Sequence, residues 1–306
     1  MLNIFKRWAS PIAIILGVLC YKILDHLSFL IPLMLFLMIF ITYCSLSLRE
    51  VKFHRLHLVL ISTQIVLGFF VYFFICHFSS ITAEAMLICV LAPTAISATV
   101  VAAMIGGNIE SLTLYTLLGN LTTALFLPVL LPSLGISVDL PYFQSFLFIL
   151  KQLFLMLIAP LLGTLFLSRF FPWAHEAIRK RQIISFYIWF ISFAVVIARS
   201  VKFFLAYGKD KLPVVLSIAT GSLLICIFQY WLGRRIGIRY DERVTAGQAL
   251  GHKNTVLAIW IAQTYLQPLA SIAPTAYILW QAAFNGYQVW RYQRIQPELD
   301  KDMLQT

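Results

Sequence analysis

The sequence predicts an all-α polytopic membrane protein with about ten transmembrane helices, and three observations carry that expectation. Of 306 residues, 61% are hydrophobic and only 11% charged, against roughly 45–50% and about 25% in ordinary soluble domains. The apolar stretches are continuous rather than alternating, so they read as helices and not as the strands of an outer-membrane barrel. Short basic clusters separate them and fall on alternate sides. A spanning helix needs about 20 residues, so about ten helices consume most of the chain and leave no long loop for a second, water-soluble domain.

Taken in order, the apolar windows between charged or turn-forming breaks give spans at residues 9–26, 28–48, 56–78, 84–105 and 111–134, then 143–170, 182–205, 212–233, 244–265 and 269–290. Lys6 and Arg7 precede the first, and Arg49, Lys52 and Arg55 separate the second from the third. Arg169, Arg179, Lys180 and Arg181 follow the sixth, Arg234, Arg235, Arg239 and Arg243 follow the eighth, and Arg291 and Arg294 close the tenth. The other side carries Lys22, Lys202, Lys209 and Lys211, with Asp25, Asp139 and Asp210. The positive-inside rule then places both termini in the cytoplasm, and an odd number of spans would scramble the segregation. The expected location is a cell inner (plasma) membrane.

The net charge of +11 does not indicate nucleic acid, because the cations sit in short clusters between apolar runs and not along one face. Cys20, Cys44, Cys76, Cys89 and Cys226 all fall in apolar runs with no metal-ligand spacing. The start of the chain imitates a signal peptide, but Val18-Leu19 stands where cleavage needs small residues, so it reads as an uncleaved first helix.

Two spans are poor helices. The fourth contains Pro93-Thr94-Ala95 followed by Ser97 and Thr99, and a mid-span proline removes a backbone donor and clashes with the preceding turn. The ninth contains Gly247, Gly251, His252, Lys253 and Asn254. Both are expected to break. In hydrocarbon, broken helices survive only where protein buries them or where they line a polar cavity, and such a pair in corresponding halves is the best pointer to a transporter's binding site. The halves do correspond: Thr99-Val100-Val101-Ala102 and Thr255-Val256-Leu257-Ala258 lie about half a chain apart, each just after a break. Five spans per half make the second repeat, 142–292, inverted relative to the first, 1–134, with a cytoplasmic tail at 293–306.

At these residues the sequence resembles the bile acid:sodium symporter family. Ala92-Pro93-Thr94-Ala95-Ile96-Ser97-Ala98-Thr99 stands in place of that family's broken fourth helix, and Leu250-Gly251-His252-Lys253-Asn254-Thr255 in place of its Glu-x-Gly-x-Gln-Asn-Ser. Gln64 resembles a family glutamine that helps bind a cation. The resemblance implies a core domain of spans three to five and eight to ten, a panel domain of the others, fourth and ninth helices crossing in the core, and organic anions moving through the cleft between domains. It also implies sodium coupling. The family's sodium-holding glutamate and glutamine, however, are here Ala249 and Lys253, and a further family asparagine is Thr99. Two sodium ions with one glutamate carry the same net charge as one ammonium without it, so Lys253 is expected to stand in for the ions, its three donors satisfying carbonyls freed at the break.

A charge at mid-span costs about 2.5–3.5 kcal/mol on insertion scales and usually marks function, which makes Lys253 the sharpest candidate against the bland reading of a snorkelling lysine. His252 reads equally as a satisfied polar residue or a proton carrier. Asn254, Thr255, Gln64, Pro93, Ser97, Thr99, Asn120 and Thr123 complete the candidate set, with plain interhelical hydrogen bonding as the alternative for the polar ones. The function expected is secondary active transport of a small organic anion by alternating access. An ordinary sodium-coupled symporter is the alternative within that class, and a non-transporting sensor or receptor the alternative outside it. An enzyme would need a nucleophile with a base or paired carboxylates at membrane depth; apart from Asp25 and Glu84 at span ends, no acid falls within the spans. The expected partners are therefore the organic anion and the lipid bilayer, with no catalytic residues, metal site or resident cofactor; the sequence carries no signal for oligomeric state.

Overall fold

The computed structural model describes residues 2–44, 53–135 and 141–303. It is 88% helical, and no strand occurs among the described residues. Helix α1 (Leu2–Leu19) leads through the single turn α2 (Tyr21–Leu24) and a 3-10 stretch at Asp25–Leu30 into α3 (Ile31–Tyr43). There follow α4 (Arg55–Cys76), the shorter α5 (Ser80–Leu91) and α6 (Ser97–Met104), and the long α7 (Ile109–Ser133). The chain continues with α8 (Tyr142–Leu153) and α9 (Ala159–Phe170), then α10 (Pro172–Arg179), α11 (Ile183–Phe203) and α12 (Leu212–Ile238). Helices α13 (Arg243–Gly251) and α14 (Thr255–Tyr265) are short, and α15 (Ile272–Met303) is the longest.

Local chemistry explains the starts and the distortions. Ser79 accepts from the Thr82 N–H to cap α5, and Asn108 accepts from the Ser111 N–H at 3.0 Å to cap α7. A π turn at Phe154–Ile158 sits just before Pro160, whose ring removes the next backbone donor. Among the described residues, six segments are long and apolar enough to cross a membrane: Tyr21–Tyr43, Arg55–Cys76, Ile109–Ser133, Tyr142–Phe170, Ile183–Ala206 and Leu212–Ile238.

Side-chain placement agrees with a lipid surround. Phe70, Phe74, Phe78, Trp173 and Leu224 stand exposed, while Gln64, Gln229, Gln248, Gln281 and Asn285 are buried. A water-soluble protein distributes these residue types the other way. Without a hydrophobic force between helices, close packing depends on small residues. In α12, a Cβ on Gly233 would stand 2.2 Å from the Ala246 carbonyl oxygen, and one on Gly237 2.5 Å from that of Glu242. The α12–α13 hairpin thus closes almost backbone to backbone.

Several boundaries differ from those expected. Gly247 does not belong to the break: α13 continues through it to Gly251, because its bare Cα lets Arg234 pack across the helix, with the Arg234 Cγ 2.7 Å from where a Cβ would be. Helix α12 runs past Arg234 and Arg235 to Ile238, and α15 runs past residue 290 to Met303. Charged side chains at a helix end turn toward the interface without ending the helix; Arg235 lies over the Trp231 ring, 5.6 Å from its centroid. Arg49, Lys52 and Asp139 lie outside the described residues, as do the side chains of Lys6, Arg7 and Lys209.

Candidate functional site

Helices α5 and α13 end facing one another. A helix leaves its last carbonyls without intrahelical partners, and Pro93 after α5 prevents a further turn. The two chains cross as a one-residue antiparallel bridge between Thr94 and Lys253. The Ala95 N–H donates to the His252 carbonyl at 3.0 Å, and the Asn254 N–H to the Pro93 carbonyl at 2.8 Å. Beyond the crossing, α14 restarts on a cap in which Asn254 Oδ1 accepts from the Leu257 N–H at 3.3 Å.

Polar side chains reach each carbonyl that α5 leaves open. Gln229 Nε2 donates to Cys89 O at 3.4 Å, and Lys253 Nζ to Val90 O at 2.8 Å. Gln64 Nε2 donates to Leu91 O and Ala92 O, both at 3.1 Å, and Thr123 Oγ1 to Leu91 O at 3.4 Å. Tyr115 fixes Gln64 from behind, its hydroxyl donating to Oε1 at 2.7 Å. On α13, Thr94 Oγ1 donates to Ala249 O at 2.6 Å and the Tyr277 hydroxyl to Gly251 O at 2.8 Å. Gln281 clamps Lys253 like a neighbouring strand, accepting from its N–H at 2.7 Å and donating to its carbonyl at 3.3 Å.

Electrostatics explains why a cation belongs here. Each helix C-terminus carries roughly half a negative charge, so two together balance one ammonium. Lys253 is only 1% exposed, and of the α5 carbonyls its Nζ reaches Val90 O, not the several that its three donors were expected to satisfy, because Gln229 and Gln64 already serve the others. His252, its neighbour in sequence, faces another way: Nδ1 lies 3.0 Å from Gln248 Oε1 and 3.1 Å from Asn285 Nδ2, and Nε2 lies 3.1 Å from Ser97 Oγ. An acceptor and a donor flank Nδ1, so either neutral tautomer is satisfied. Among the described residues, no group of three or more His, Cys, Asp or Glu side chains could hold a metal ion.

Of the candidates read from the sequence, Lys253, Asn254, Pro93, Gln64 and Thr123 meet at the crossing, with His252 and Ser97 bonded to each other beside it. A small cleft between α4 and α7, lined by Gln64, Leu91, Gly119, Thr122, Thr123 and Phe126, opens next to the carbonyls. Thr99 turns back to its own backbone, donating to Ile96 O at 2.7 Å. Thr255 is buried in the first turn of α14. Asn120 does not join the carbonyl network: it donates to the Tyr43 hydroxyl at 2.7 Å, and its buried Oδ1 has no partner.

Sequence reasoning missed Tyr115, Gln229, Tyr277, Gln281 and Asn285. The last three, with Gln288, recur at helical spacing along one face of α15, and a polar stripe of that period in an apolar helix is a signal that could have found them.

The fold and site together define a membrane-spanning all-α protein with a buried lysine amine at two opposed helix ends. No protein-family model matches the chain, and no curated protein sequence matches it.

Proposed function

We propose that this chain is a secondary transporter of the bile acid:sodium symporter type, carrying a small organic anion by alternating access and using the Lys253 ammonium where that family uses sodium. The observation that carries this reading is the opposed pair of helix ends with Lys253 Nζ 2.8 Å from the Val90 carbonyl. Interrupted helices meeting at depth are the usual architecture of a transport site, and an ionisable group at membrane depth marks such sites. In this reading the helices form ten crossings in two inverted sets of five, with both termini in the cytoplasm.

The donor set argues against sodium. Val90, Leu91 and Ala92 already receive N–H groups from Lys253 and Gln64, and Ala249 offers no carboxylate. A sodium ion there would displace an ammonium and an amide and lack an anionic ligand. In this reading the Lys253 amine meets an α5 carbonyl that a dissolved cation would otherwise neutralise.

The test is counterflow in liposomes preloaded with mixed carboxylates and sulfonates, run in sodium and in choline buffer. The expected result is exchange at similar rates in both. Binding without exchange would point to a sensor, and exchange abolished by choline would refute the tethered-amine mechanism.

A further inference from the structure

Where α12, α13 and α15 meet at one end of the bundle, three guanidinium groups converge, and among the described residues none has a carboxylate partner. Arg234, near the end of α12, packs over the bare Cα of Gly247. Its Nη2 donates to Gln288 Oε1, while its buried Nε has no partner. Gln288 is 7% exposed, and its buried Nε2 also finds no acceptor. Arg243 and Arg291 lie near enough for their charges to repel that of Arg234, and both side chains are exposed. Among the described residues no carboxylate lies within ion-pairing distance of any of the three. Glu242, next to Arg243 in the chain, presents Oε1 to Asn108 Nδ2 instead.

Arg234 Nε and Gln288 Nε2 are both unmet donors, while Glu242 Oε2, an unmet acceptor next to Arg243 in the chain, makes no ion pair with the guanidinium groups. An unpaired buried donor carries the full penalty of its lost hydration, and like charges held together add to it, so the missing component is an acceptor with negative charge. The positive-inside tendency accounts for cations at a bundle end, but not for a half-buried arginine whose Nε points at nothing beside a glutamine amide in the same condition. Planar guanidinium forks suit an oxyanion that accepts at several oxygens, above all phosphate. We propose that Arg234, Gln288, Arg243 and Arg291 form a binding site for a phosphate-class oxyanion, apart from the helix crossing and independent of the transport reading. Its level suits a headgroup: Trp231 and Trp290 stand exposed close by in sequence, and Arg294 lies over the Trp290 ring at 4.5 Å, an arrangement typical of the membrane interface.

The experiment places the full chain in phosphatidylcholine nanodiscs and follows its thermal unfolding with two probes: phosphatidylglycerol at rising mole fraction, and inorganic phosphate titrated against chloride at matched ionic strength. A bound native-state ligand raises the apparent midpoint. The expected result is a saturable rise with at least one probe; phosphatidylglycerol alone identifies a lipid headgroup, and inorganic phosphate a soluble anion. The double variant R243Q/R291Q changes two exposed side chains and leaves the buried pair in place, so it folds; its half-saturation should move by about tenfold or more, as expected for losing charged hydrogen bonds. The control R179Q/K180Q, on another basic surface, should behave as wild type. No saturable rise with either probe, or an unchanged half-saturation in R243Q/R291Q, overturns the proposal.

Discussion

Lys253 occupies a position that few residue types could fill. Its Nζ meets the Val90 carbonyl, so only a donor is satisfied there, and the C-terminal end of α5 favours a positive one. The variant K253M exchanges a desolvated charge for an apolar chain of similar shape and leaves one carbonyl open, two effects of opposite sign. It should therefore remain folded and monodisperse by size exclusion while losing transport, which separates a functional lysine from a merely structural one. Gln64 behaves differently. Replacing it with Leu opens the Ala92 carbonyl and the Tyr115 hydroxyl and leaves Leu91 O with only the long Thr123 contact, so thermal unfolding in detergent should show a loss of about 1–3 kcal/mol. Lys253 was conspicuous in the sequence because a charge inside an apolar window is rare. Gln229, Tyr115 and Tyr277 were not, because a single amide or phenol in a spanning helix looks the same whether it serves a neighbour helix or a broken one.

At the scale of elements, glycines set how closely helices approach. A Cβ on Gly251 would stand 2.4 Å from the Tyr230 ring, whereas one on Gly286 would meet nothing within 4 Å. The variant G251A should lose about 1–3 kcal/mol by overpacking, and G286A, lying within α15, should hold or gain stability, since alanine is the better helix former by roughly 1 kcal/mol; melting curves of the two settle the comparison. The positions of the interruptions were legible because Pro93 cannot continue α5 and His252-Lys253-Asn254 concentrates polarity after Gly251. Gly247 misled for a definite reason. Glycine marks a break in one context and a close approach in another, and only the Arg234 side chain lying across it distinguishes the two. Likewise, the charged residues that close an apolar window did not end α12, because arginine can reach the interface from a helix that continues.

For the whole molecule, composition with continuous apolar runs pointed to an all-helical chain with an apolar exterior, and the structure does bury amides and expose phenylalanines. It could not identify which interior groups meet, because that depends on helices distant in sequence: α5 draws its partners from α4, α7, α12 and the segment between α13 and α14. In the proposed mechanism one covalently held ammonium performs the task of a mobile cation at those helix ends. The most direct test is uptake by K253Q and by the double variant A249E/K253Q, each measured in sodium and in choline. The account predicts that K253Q is inactive in both buffers and that A249E/K253Q recovers transport in sodium alone. Full activity of K253Q in choline would contradict it.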